Sequence, residues 1–125
     1  MSDPQSLDTA ALQRLKKLGG AAFVIKMIDL FVEYGGSKIA EARAAQTAAN
    51  IEGVERAVHS VKSSAGNVGA RRVQQLAQEI ETMTQQEPNE PLEGAIAELE
   101  QAFNDAKAEL ESWRLSLALE AATDH

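Results

Sequence analysis

Between residues 92 and 117, Leu92, Ile96, Leu99, Phe103, Ala106, Leu110, Trp113 and Leu117 recur at alternating intervals of four and three. At 3.6 residues per turn, this spacing keeps one stripe of an α-helix apolar over about seven turns. Such a helix cannot remain single in water, so the stripe requires other helices packed along its length. Pro88 and Pro91 set a firm boundary before it, because proline cannot continue a preceding helix.

The rest of the chain supplies those partners. Ile51, Val54, Val58, Val61, Ala65 and Val68 form a second seam at spacings of three and four, and Val73, Leu76, Ile80 and Met83 form a third. Phe23, Met27, Leu30 and Tyr34 make a fourth, widened by Val24, Ile28 and Phe31. It is interrupted by Gly35-Gly36, where a bend is expected, and resumes in an Ala-rich stretch to about residue 50. A shorter segment with Leu7, Ala11, Leu15 and Leu18 starts at a Ser6 or Asp8 cap and ends at Gly19-Gly20. It is expected to lie across the larger assembly as a lid.

Four long amphipathic segments with short connections predict an all-α fold, an antiparallel up-and-down four-helix bundle with a short extra N-terminal helix. The connections are too short for an intermolecular coiled coil, so a monomer is expected. The chain reads as a single domain over residues 1–125, with its core over about 7–118 and frayed termini, the tail AATDH among them. Aromatic residues are only 4% of the chain, so this core is built from small and aliphatic side chains.

The net charge is −7 with a pI near 4.8, which argues against general affinity for nucleic acid or an anionic membrane. The segment from Glu52 to Arg72 departs from that average: Arg56, Lys62, Arg71 and Arg72 stand against Glu52 and Glu55. The chain has no cysteine, no apolar run long enough to span a membrane, and an N-terminal sequence unlike a secretion signal. A cytoplasmic location is the expectation.

His59 sits inside the second seam. With Val54 set at 0° and about 100° per residue, the buried face centres near about 10° and His59 falls near about 140°, so it points out of the core. Ser63 and Gly66, one and two turns beyond it, carry almost no side chain and leave the approach open. Lys62 lies one turn away.

A lone surface histidine is most often a solvated polar residue, and Glu55 with His59 could form an ordinary i,i+4 pair. A metal site lacks ligands, since the other histidine is His125 at the chain end. A Ser/His/Asp hydrolase lacks a fixed nucleophile and oxyanion hole, and the glycine motifs of nucleotide sites are absent. The sharper reading is a nucleophile used by a partner: a neutral imidazole can attack phosphorus and carry the group covalently, with Lys62 offsetting the incoming charge.

The stretch AVHSVKSSAGNVGA, residues 57–70, resembles the signature of the histidine-containing phosphotransfer (HPt) domain family of two-component phosphorelays. His59, Ser60, Lys62, Ser64, Val68, Gly69 and Ala70 fall in place. LGGAAFVIKMIDLFVEY before it and VQQLAQEIE after it are similar to the flanking helices of the family, so the resemblance spans roughly residues 10–117. The chain departs from the pattern at Ser63, where a glycine is usual.

The resemblance implies that His59 accepts a phosphoryl group, at its Nε2, from the phospho-aspartate of a receiver domain and passes it to another receiver. The implied partners are receiver domains of response regulators and hybrid sensor kinases. They would bring Mg²⁺, with no cofactor in this chain and no kinase activity of its own toward ATP. Lys62 would be the electrostatic helper, and Ser63 and Gly66 would shape access. The docking surface would include apolar and small groups beside the histidine. The competing expectation is a non-catalytic helical adaptor that binds receivers or other bundles without transferring phosphate.

Overall fold

The computed structural model describes residues 6–86 and 91–123. Four helices account for nearly all of them: α1 (Thr9–Thr47), α2 (Ile51–Asn67), α3 (Arg71–Thr84) and α4 (Glu93–Thr123). Each helix packs on its neighbours in the chain and α4 closes the ring against α1, while the backbones of the diagonal pairs stay apart among the described residues. The ion pairs Lys16–Glu120, Asp29–Arg114 and Arg43–Glu100 step in opposite directions along α1 and α4, which makes that pair antiparallel. The expected four-helix bundle is the observed architecture.

Three of the seams read from spacing are its core; the fourth is not, because α1 buries Val24, Ile28 and Phe31 while Phe23 and Met27 are only partly buried and Leu30 and Tyr34 are exposed. Val54, Val58, Val61 and Ala65 of α2, Val73 and Ile80 of α3, and Ile96, Leu99, Ala106 and Leu110 of α4 are all essentially inaccessible to water. Trp113, at the thinning end of α4, is only half-buried against them. No charged or polar residue is buried among the described residues, so the interior is held by apolar burial and close packing.

The short N-terminal helix is present, but it is joined end to end with the next. Gly20, at φ 81° and ψ −177°, is the single non-helical residue inside α1, a conformation open essentially to glycine alone. Asp8 caps the segment by accepting from the Ala10 N–H. The Asp8 N–H donates to the Gly69 carbonyl at 2.7 Å, which fastens the segment across the α2–α3 turn. Gly69 has φ 71°, and a Cβ there would lie 2.6 Å from the Asp8 carbonyl oxygen. Both its dihedral angle and the close approach therefore require glycine.

At Gly35-Gly36 the backbone stays helical, so α1 continues where the sequence suggested an interruption. The cause is on α4. Phe103 packs against Phe31 with ring centroids 5.3 Å apart, and a Cβ on Gly35 would stand 3.1 Å from Phe103 Cε1. The glycines make room for an aromatic ring; they do not end a helix.

The tail also differs from expectation. α4 runs on through Ala121-Ala122 to Thr123, past the last apolar residue of its stripe. Lys16 of the N-terminal segment pairs with Glu120 and ties this extension to α1. The remaining residues of the AATDH tail, Asp124 and His125, lie outside the described residues.

Candidate functional site

α2 positions His59 from both ends. Asn50 caps its start by accepting from the Gly53 N–H at 3.0 Å, and the turn at Gly69 stops it. Between them, the valine face is buried and the histidine is carried on the opposite side. Its side chain is 60% exposed, in agreement with the outward direction read from the helical spacing.

The imidazole is not free to turn. Its Nδ1 lies 2.7 Å from Oε2 of Glu81 on α3, and Oε1 of the same carboxylate lies 2.6 Å from Lys62 Nζ. Lys62 also donates to Gln78 Oε1 at 3.0 Å. Glu81 is only 12% exposed. Its carboxyl is nevertheless held below the usual glutamate range, first by the Lys62 hydrogen bond and then by that of His59, with burial opposing both. An ionised carboxylate can only accept, so Nδ1 carries the proton and donates to Glu81. The Nε2 lone pair is thereby left for an incoming electrophile.

An open groove of about 480 Å³ lies beside the ring. Its α2 side consists of His59, Ser60, Ser63, Ser64, Asn67 and Val68, and its α1 side of Met27, Leu30, Phe31 and Tyr34. Leu30 and Tyr34 are about half exposed, at 50% and 48%, and give the groove an apolar edge beside the histidine.

The four residues singled out by the sequence separate into three environments. His59 and Ser63 share the groove. Lys62 is turned to the α3 side, where it donates to the carboxylate of Glu81 that also contacts the histidine. Gly66 faces α3, where an added Cβ would lie 3.0 Å from Gln74 Nε2, and it does not line the groove.

Glu81 bears no distinguishing mark along its own helix, and the sequence sets Leu30 and Tyr34 in a packing stripe where the structure exposes them beside the histidine. A signal for Glu81 existed in the antiparallel register. Counting outward from the α2–α3 turn sets Gly66 against Gln74, Lys62 against Gln78, His59 against Glu81 and Glu55 against Gln85. Glu55 accordingly accepts from Gln85 Nε2 at 3.0 Å, and no i,i+4 bond to His59 forms. No cluster of side chains able to hold a metal ion occurs among the described residues, and no described helix is long and apolar enough to cross a membrane.

An antiparallel helical bundle that exposes a tautomer-fixed histidine on the middle of one helix defines a carrier rather than an enclosed active site. The Hpt domain family model matches residues 26–122, and the chain belongs to that family, whose activity is histidine phosphotransfer in phosphorelays. The fold is similar to the crystal structure of histidine-containing phosphotransfer protein B (HptB) from Pseudomonas aeruginosa. The TM-score is 0.84 at 19% identity, over 91% of this chain and 98% of that one. It is also similar to a rice protein assigned to the same class, with a TM-score of 0.80 at 21% identity, over 91% of this chain and 83% of that one. No curated protein matches the chain by sequence.

Proposed function

We propose that His59 is the phosphoryl acceptor of this phosphotransfer protein, taking the group from the phospho-aspartate of a receiver domain and returning it to the aspartate of another. The observation that carries the reading is the Nδ1 contact with Glu81, which leaves Nε2 as the nucleophile at the edge of an apolar groove.

In the forward step the Nε2 lone pair forms an N–P bond as the P–O bond to the aspartyl carboxylate breaks, and the carboxylate leaves with the electron pair. The ring becomes an N-phosphoryl imidazolium that keeps its Nδ1 proton, and Glu81 offsets the positive charge. No proton need move during transfer. Reversal onto a second receiver's aspartate restores the neutral ring.

The receiver supplies Mg²⁺ at its own site, and this chain supplies the nucleophile and a surface to dock on, so positioning and charge stabilisation dominate. Leu30, Tyr34 and the small residues of α2, Ser63 among them, form that surface. The protein acts as a cytoplasmic monomer with no ATP site of its own.

Incubation with a labelled phospho-receiver tests the assignment through acid-labile label on the bundle. Wild type is expected to take label and His59→Gln to take none; equal labelling of the two would overturn it. Receiver binding with no transfer to wild type would instead establish the adaptor role.

A further inference from the structure

Lys62, the cation one turn after His59, is already committed. Its ammonium sits on Glu81 and Gln78, and it is only 25% exposed. A phosphoryl group on Nε2 brings about two negative charges and needs a cation that is not already neutralised.

Arg56 answers that need. It is exposed on α2, one turn before His59, and its guanidinium has no carboxylate partner among the described residues. Helical side chains lean toward the N-terminus, which brings the His59 ring toward the turn that contains Glu55 and Arg56. A second open cavity, of about 440 Å³, is consistent with that direction: His59 shares it with Glu55, Arg56, Ser60 and Glu81.

The charges in this cavity sharpen the assignment. Glu81 is balanced by Lys62, whereas Glu55 is bonded by the neutral amide of Gln85 and has no cation against it among the described residues. A phosphoryl group arriving at Nε2 therefore meets an uncompensated carboxylate on one side and an uncommitted guanidinium on the other.

We propose that Arg56 binds the phosphoryl group carried on His59 Nε2 as a charge-assisted contact, while Lys62 acts on the ring only through Glu81. This rests on His59 being the acceptor.

Phosphoramidate is a suitable probe, because it can deliver a phosphoryl group without any receiver. Nε2 attacks phosphorus, the P–N bond breaks, and ammonia leaves with a proton from solvent. Wild type, Arg56→Gln, Arg56→Lys and the remote control Lys107→Gln would be compared, with circular dichroism to verify the fold. Labelling rate and the ³¹P titration of the phosphohistidine would be followed.

Arg56→Gln is expected to slow labelling about tenfold and to raise the midpoint pH of the ³¹P titration, since a lost cation makes the dianion harder to form. Arg56→Lys should recover part of both, and Lys107→Gln should match wild type. An Arg56→Gln rate within twofold of wild type with an unmoved midpoint would overturn the role of Arg56 and leave His59 standing. Absence of label at His59 in wild type would overturn both.

Discussion

Glu81 accepts from His59 Nδ1 through one carboxylate oxygen and from Lys62 Nζ through the other, at 2.7 and 2.6 Å. One acidic residue on α3 thus sets the tautomer of the histidine on α2 and occupies the lysine beside it. The site is a linked trio and not an isolated nucleophile with an independent helper.

The linkage predicts how substitutions combine. Glu81→Gln keeps the shape but allows the amide to donate to Nδ1, which favours the tautomer with Nε2 protonated. Single-turnover transfer to His59 should fall by about tenfold, as expected for a lost charge-assisted hydrogen bond. ¹⁵N spectra of the ring should show loss of the uniform Nδ1–H form. Lys62→Ala should also slow transfer with the fold intact. The double variant should be little slower than Glu81→Gln alone, because both act through one group; additive effects would place Lys62 directly on the phosphoryl group.

The same carboxylate makes part of the stability depend on pH. Its pKa is lowered in the folded protein from an ordinary value of 4.5, so its contribution is fully present above that value and is lost as pH falls through the depressed one. The bonds are near the surface, and the contribution is about 1 kcal/mol or less. The difference in Tm between wild type and Glu81→Gln should be constant near neutrality and fade below about pH 4.5. A difference that persists unchanged in acid would show that the ionised pair does not stabilise the fold.

Docking should be separable from chemistry. Leu30→Asp or Tyr34→Ala places a charge, or removes a ring, at the exposed edge of the groove without touching His59. Transfer from a receiver should weaken through KM by about tenfold or more, as for an interface anchor worth above about 1.4 kcal/mol. Labelling by phosphoramidate should stay near the wild-type rate. An equal loss in both assays would mean that these residues support the histidine and do not form the receiver's seat.

Two glycines should respond in opposite directions. Gly69→Ala forces a side chain onto a backbone with φ 71° and against the Asp8 carbonyl, and should destabilise by about 2 kcal/mol or more in urea denaturation. It should also release the N-terminal segment from the α2–α3 turn. Gly94→Ala, near the start of α4, meets nothing within 4 Å and should stabilise by about 0.4–1 kcal/mol. Equal effects would remove the close approach as the reason for Gly69.

The sequence by itself determined what depends on neighbours along one helix. The stripe of α4, the valine face of α2 and the outward direction of His59 all follow from 3.6 residues per turn, a period that tertiary contacts do not alter. Only the tertiary structure decided what meets across helices: Glu81, 22 positions from His59 in the chain, Leu30 and Tyr34 from α1, and the turning of Gly66 to Gln74. It also decided that Gly35-Gly36 serve packing within a continuous α1, since the ring beside them belongs to Phe103 on α4, and that α4 extends past its apolar stripe, where Glu120 meets Lys16. The physical reason is that such contacts depend on the register and facing sides of two helices at once, and the spacing within either helix leaves both open.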